Sequence, residues 1–385
     1  MAAEEMPHVL MTADTVGGVW SHVLELAAGL GDVGMRVAVA AMGTPVTAAQ
    51  REQVARIPTV TLHEKTYRLE WMADPWTDVR RAGQWLLRLE ARLQPRLVHL
   101  NQFTFGALPF KAPTLLVAHS CVLSWWRAVH GEAAPACWDR YRRAVARGLA
   151  GATLVGAPTQ AMLASLAVNH GHARGGVVLP NARSHADYAP GRKAPVILSA
   201  GRLWDAAKNL AALEAVAPAL PWPVHVAGST SQPTGGVRST RGVRALGDLS
   251  PAALASEMAA ASIYALPARY EPFGQTALEA ALCGCALVLG DVPSLREVWG
   301  PAALYVPPDD HRALQAALTL LIDDEPLRRR MATKARTRAL RFTPERMVDA
   351  YLAAYASIVL PAAQGQAQAQ TRSASGRIAE PACAS

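Results

Sequence analysis

Four charged side chains in the second half of this chain have types and spacing suited to an anionic, hydroxyl-bearing ligand. Glu271 and Glu279 stand with seven residues between them in "RYEPFGQTALEAALCGCALVLG", a run otherwise uncharged after its first residue. Acids are costly to bury, so two of them beside a Pro-Phe-Gly turn and an alanine-rich helix call for a reason. Glu271 precedes the expected helix "QTALEAALC" and Glu279 lies just over one turn inside it, so both can border one pocket. There, carboxylates would accept hydrogen bonds from vicinal hydroxyls. The same spacing also suits an acid at a helix start that complements the macrodipole or caps backbone. Gly274, lacking Cβ, lets N–H groups at the helix start approach a ligand closely. Upstream, "SAGRLWDAAKN" supplies Arg202 and Lys208 just after an expected strand. Two cations converging on a strand end suit a diphosphate, Arg as a planar fork and Lys as a flexible point charge. Taken without the glutamates, the pair also reads as a solvated loop.

Near the N-terminus, "TADTVGGVWSHVLELAAGL" places Gly17 and Gly18 between a strand and a helix. Adjacent glycines allow a tight bend and offer N–H groups to an anion. The stretch is not G-x-G-x-x-G, which counts against a nicotinamide site. Asp14 either shapes this loop or only forms its turn. "LLVAHSCVLSWW" ends a strand with His119, which by itself reads as a structural histidine.

The elements that must position these residues follow from apolar patterning. "HVLMTA" (8–13), a helix near 18–32, "RVAVAAM" (36–42), "RLVHLN" (96–101), "PTLLVAHS" (113–120), "ATLVGA" (152–157) and "GGVVLP" (175–180) form one alternating series. After the linker "NARSHADYAPGRKAP" (181–195) the pattern restarts with "PVILSAG" (195–201) and a helix from about Asn209. "PVHVAGS" (223–229), "VRALG" (243–247), "SIYALP" (262–267), "CALVLG" (285–290) and "AALYVP" (302–307) continue it. Continuous apolar strands separated by helices mean parallel sheets covered on both faces. Two doubly wound α/β domains joined by a hinge would set the carboxyl ends of both sheets against a common cleft. The expected divisions are residues 1–183 and 184–342. A helix over 343–361 would then pack back toward the first domain, with a disordered low-complexity tail over 362–385. Helices are expected near 311–323, 326–340 and 344–358.

The 385 residues exceed one ordinary core and suit two domains of roughly 150–200 residues each. Apolar residues make up 51%, as in a globular protein, and the net charge of +8 favours anionic partners without bearing on fold. The five cysteines, Cys121, Cys137, Cys283, Cys285 and Cys383, have no framework spacing. A helix end followed by a strand would aim Cys283 and Cys285 apart, so no metal is expected there and a reducing cytoplasm is the simplest compartment. "MAAEEMPHVLMTADT" carries acids and only a short apolar run, unlike a signal peptide. No apolar run approaches the roughly 20 residues of a membrane span.

The run "EPFGQTALEAALCGCALVLGDVPSLREV" resembles the E-x7-E signature of the family 4 glycosyltransferases, retaining enzymes of the two-domain, Rossmann-like GT-B fold. The match covers Glu271, Phe273, Gly274, Leu278, Glu279, Ala280, Cys283, Gly284 and Glu297, late in the second domain as in that family. The resemblance implies that Glu271 holds donor-sugar hydroxyls and that Glu279 binds the ribose. The amides of Phe273, Gly274, Gln275 and Thr276 would line the sugar and phosphate. It implies that Arg202 and Lys208 neutralise the leaving nucleoside diphosphate, although their separation of six is one longer than in many relatives. In the family the Gly17–Gly18 loop meets the donor phosphate and the acceptor, and a histidine at the position of His119 reaches the transferred sugar. Asn181 falls where relatives have Pro-Asn-Gly-Val, from which Ala182 and Arg183 depart.

On the acceptor side, Trp125, Trp126 and Trp138 lie near Arg127, Arg140, Arg142, Arg143 and Arg147. Indole faces stack on sugars and the arginines suit phosphate or an anionic membrane. A helix with buried Trp and an exposed basic face explains them equally well. The expected protein is a retaining glycosyltransferase, either free in the cytoplasm or peripheral at the inner membrane face. It would move a hexose from a nucleotide diphosphate sugar to a glycan, lipid-linked or small-molecule hydroxyl acceptor, without metal, cofactor or nucleic acid. The alternatives are an epimerase or phosphorylase using the same cleft, or a non-catalytic basic module whose salt-sensitive polyanion binding ignores Glu271→Ala.

Overall fold

Strands that are buried along their whole length and almost wholly apolar must be covered on both faces, as in a layered α/β sandwich. The computed structural model describes residues 8–171, 175–231, 236 and 238–375. Residues 1–7, the start of the stretch read as unlike a signal peptide, and 376–385, the end of the expected tail, lie outside the described residues.

The first domain runs β1 (Val9–Asp14), α1 (Gly18–Asp32), β2 (Val37–Met42), α2 (Ala48–Ala55), β3 (Val60–Glu64), α3 (Trp76–Leu93) and β4 (Leu97–Leu100). It continues through β5 (Thr114–Val117), α4 (Val122–His130), α5 (Asp139–Gly151), β6 (Leu154–Ala157), α6 (Gln160–His170) and β7 (Val177–Val178). These strands form a seven-stranded parallel sheet in the order β3-β2-β1-β4-β5-β6-β7. β3 escaped the sequence reading because "VTLHE" is a half-exposed edge strand with mixed polarity.

The second domain runs β8 (Ala194–Ala200), α7 (Leu210–Val216), β9 (Val224–Ala227), β10 (Arg244–Gly247), α8 (Pro251–Ala260), β11 (Ala261–Leu266) and α9 (Gln275–Leu282). β12 (Ala286–Gly290), α10 (Pro293–Trp299), β13 (Leu304–Val306), α11 (His311–Asp323) and α12 (Glu325–Ala339) complete it. Its six-stranded parallel sheet has the order β10-β9-β8-β11-β12-β13. The architecture is thus two doubly wound domains. Each sheet reverses its strand order once, between β1 and β4 and between β8 and β11, and ligands bind at the carboxyl ends of such switch points.

The last helix, α13 (Pro344–Ser375), leaves the second domain and packs on the first. Met347, Val348, Tyr351, Ala354, Tyr355 and Ile358 are buried with Val9 and Met11 of β1, Val117 of β5 and Leu26 of α1. Each fully buried aliphatic or aromatic side chain contributes roughly 1.5–3 kcal/mol. This face therefore fastens the chain end to the first domain. α13 continues to Ser375, into the segment expected to be a disordered tail from residue 362. Among the described residues no helix is long and apolar enough to cross a membrane.

Candidate active site

The loops that follow the strands flanking each switch point carry the charged residues singled out above. β8 ends at Ala200 and leads to Arg202, and a single 3-10 turn over Ala206–Lys208 then presents Lys208. Asn209 takes the left-handed conformation, φ +56°, which its short polar side chain tolerates. Its amide donates to Pro267 O at 2.9 Å and Pro308 O at 2.7 Å, binding the Lys208 turn to the loop after β11. That loop carries Glu271, and Lys208 Nζ lies 2.5 Å from Glu271 Oε2. Both side chains are largely shielded from water, at 18% and 11% exposure, so the pair attracts more strongly than a surface ion pair.

The other oxygen of Glu271 accepts the Gly274 N–H at 3.0 Å, and Ser294 Oγ holds the Glu271 carbonyl. Gly274 sits at φ +89°, a conformation that glycine adopts without penalty, and it turns the chain into α9. Glu271 thus holds the N–H of the residue that opens α9, the capping role its spacing allowed, and it also pairs with a cation, which the spacing did not predict. Thr276 Oγ1 is 2.6 Å from the buried Tyr264 hydroxyl, and Phe273 is buried edge-on against Phe342.

Arg202 donates to Asp205 Oδ2 at 2.8 Å, and the loop of the first domain comes within reach of this fork. Gly17 has φ +93°, and a Cβ there would lie 3.8 Å from Arg202 Nη1; one at Gly18 would lie 3.0 Å from Gln275 Oε1. The two glycines thus face the second domain across the cleft. Beside them, burial pushes the Asp14 carboxyl up to about 7, opposed by the Val16 N–H that it accepts at 2.6 Å.

His119, at the end of β5, contacts Asn101 Oδ1 through Nε2 at 2.7 Å. Asn101 Nδ2 donates to Thr12 O, so the oxygen faces the histidine and the proton sits on Nε2. Burial lowers His119 to about 4, leaving the ring neutral near pH 7. Beneath it, His22 meets the Tyr351 hydroxyl at 3.0 Å and His99 meets Tyr355 at 2.9 Å, both tyrosines coming from α13. Two residues beyond His119, Cys121 N–H donates to the Tyr270 hydroxyl at 3.0 Å, which brings this strand end to the residue adjoining Glu271.

Several residues with direct roles in this geometry escaped the sequence reading. Arg183 Nε lies 2.7 Å from Glu279 Oε1, and its Nη2 lies 3.0 Å from Gln275 Oε1. The motif departure at Ala182–Arg183 was the available signal, but it pointed to no partner. Asp205 and Tyr270 carried no signal. Of the tryptophans expected to face an acceptor, Trp125 donates its indole N–H to Asp205 at 2.8 Å, whereas Trp126 packs on His130 at 4.4 Å between ring centroids. Asn181 is buried and its Oδ1 has no hydrogen-bond partner among the described residues. The Cys285 thiol points to Met258 O and Ala261 O and that of Cys283 to Ala255 O, and among the described residues no cluster of His, Cys, Asp and Glu could hold a metal ion.

Two family models match consecutive parts of the chain: Glycosyltransferase Family 4 over residues 16–185, and Glycosyl transferases group 1 over residues 182–338. The chain belongs to this family of GT-B glycosyltransferases. It is 34% identical over 137 residues, 35% of its length, to glycogen synthase of Mycobacterium tuberculosis. It is 33% identical over 113 residues, 29% of its length, to O-antigen chain mannosyltransferase B of Escherichia coli. These stretches span about a third of each relative, 32% and 30%. Among solved structures, Anabaena HepE in complex with UDP and glucose matches with TM-score 0.71 at 17% identity over 91% of this chain and 100% of that one. The sucrose-phosphate synthase of Thermosynechococcus elongatus matches with TM-score 0.69 at 19% identity over 95% and 99%. At these identities the likeness shows the fold.

Proposed function

We infer that the chain is a retaining glycosyltransferase that moves a hexose from a nucleotide diphosphate sugar to a hydroxyl acceptor. The observation that carries this reading is the Lys208–Glu271 pair, set between Arg202 and the start of α9 and opposite the Gly17–Gly18 loop. Family membership and the UDP-glucose bound by a structural neighbour, HepE, support it. On this reading Arg202 and Lys208 stabilise charge growing on the departing diphosphate, the preorganised electrostatic role that usually contributes most. Glu271 and the neutral His119 orient the sugar, and Glu279 meets the ribose. The bond from the anomeric carbon to the phosphate oxygen breaks, the acceptor oxygen bonds to that carbon on the same face, and its proton passes to the leaving phosphate. Closure of the cleft keeps water from the donor.

The test is a thermal-shift screen of nucleotide diphosphate sugars, UDP-, GDP- and ADP-linked among them, since a ligand that binds the folded state raises its melting temperature. A donor that shifts the melt is then incubated with candidate acceptors and the anomeric proton coupling of the product is read by NMR. Retention of the donor's configuration is expected; an inverted product, or no shift with any nucleotide sugar, rejects the reading.

A further inference from the structure

Asp205, buried at 3% exposure, is the meeting point of three donors from two domains. Its Oδ2 accepts from Arg202 Nη2 at 2.8 Å. Its Oδ1 accepts the Ala207 N–H at 3.0 Å, capping the 3-10 turn that ends at Lys208. The same Oδ1 accepts the indole N–H of Trp125, from α4 of the opposite domain, at 2.8 Å. One carboxylate thus sets the direction of the arginine fork, fixes the turn that presents the lysine, and receives a hydrogen bond from the opposite domain.

We propose that Asp205 is a positioning residue for both cations, and that Trp125 makes their alignment depend on domain closure. The chemistry argues for this in two ways. A guanidinium free in solvent samples many rotamers, and a carboxylate that engages one edge leaves the remaining donors directed elsewhere. Asp205 has its two oxygens occupied by three donors, so it is held rather than available as a ligand for sugar or phosphate. Because Trp125 and Arg202 share this carboxylate, opening the domains would release Asp205 from one side and loosen the fork. Full alignment of the cations would then coincide with exclusion of water from the donor. This rests on the reading of Arg202 and Lys208 as diphosphate ligands.

The test is calorimetric titration with UDP and with GDP, using the full chain and its Asp205→Asn, Asp205→Ala and Trp125→Phe variants, each confirmed by a cooperative melt. Loss of a negative charge beside two cations would by simple attraction tighten binding of a diphosphate. The positioning role expects the opposite: Asp205→Asn, which keeps an acceptor for Ala207 and Trp125 but not a carboxylate for Arg202, weakens binding about tenfold, the scale of one charge-assisted hydrogen bond. Trp125→Phe keeps a ring and removes the N–H; it is expected to weaken binding about threefold, and to add nothing in an Asp205→Ala background. If Asp205→Ala does not fold, Asp205→Asn decides alone. Equal or tighter binding by folded Asp205→Asn overturns the proposal, as does an undiminished Trp125→Phe effect in the Asp205→Ala protein. If the unaltered chain binds neither nucleotide, the diphosphate reading itself falls and this inference with it.

Discussion

Arg183 and Glu279 form a salt bridge of 2.7 Å in which each side chain is only 8% exposed. The arginine comes from the segment joining the two domains and the glutamate from the middle of α9, so the pair ties the linker to the helix that opens at Gly274. Ser184 N–H donates to Glu25 of α1 at 3.1 Å, which extends the tie to the first domain. A buried pair of this kind is costly to break because the survivor keeps its desolvation penalty. Arg183→Met is therefore expected to destabilise the protein by about 3–5 kcal/mol. Glu279→Leu combined with Arg183→Met should recover most of that loss in urea unfolding. A double variant no more stable than the single one would show that the pair is not the origin of the effect.

Glu271 compensates Lys208 within the cleft, so removing this acid and removing the neighbouring cation Arg202 should act in opposite directions on nucleotide binding. Glu271→Ala releases the lysine; UDP binding should hold or tighten while sugar transfer falls by about a hundredfold or more. Arg202→Ala should weaken UDP binding by about 1.5–3 kcal/mol, the worth of a hydrogen bond to a charged group, and slow transfer with it. Calorimetry with UDP, paired with product formation, separates the two. Unaltered transfer by Glu271→Ala would remove that residue from the site.

The buried histidines make stability sensitive to mild acid. Burial lowers His99 to about 3 and His119 to about 4, and His22 well below its ordinary value, with the neighbouring histidines adding to the shift at His22. Unfolded, each binds a proton near pH 6.5, so the unfolded chain holds more protons than the folded one below that pH. Their contribution is complete above about pH 6.5 and is lost progressively as pH falls toward about 3. The melting temperature should drop steeply across that window. Tyr351→Phe and Tyr355→Phe, which strip His22 and His99 of their partners, should each cost about 1–3 kcal/mol at pH 7.5.

Asp14 has the opposite sign. Its folded carboxyl is raised to about 7 from the ordinary 3.8, so between those values the folded state holds the extra proton. The stability it contributes is present below about pH 4 and is lost as pH rises to 7. Asp14→Asn should accordingly raise the melting temperature more at pH 8 than at pH 5. A pH-independent change would mean that the carboxyl titrates normally.

Much of the fold is legible locally. Unbroken apolar runs such as "VAVAAM" and "ALVLG" must be covered on both faces, and the intervening helical stretches supply the cover. The edge strand β3 was not legible, because its half-exposed residues follow neither pattern. In the candidate site, the glutamate spacing, the Arg–Lys pair and the twin glycines are visible because each lies on the loop or helix that directly follows a strand.

The sequence alone determined which residues arrive at the carboxyl edges of the two sheets, because strand length and the helix that follows are set by near neighbours. Only the tertiary structure decided what each of them meets. Arg183 and Glu279 are 96 positions apart, Trp125 and Asp205 are 80, and His99 and Tyr355 are 256. Such pairings depend on how two separately folded sheets dock and where α13 crosses between them. That is a question of shape and buried charge, which no local spacing encodes.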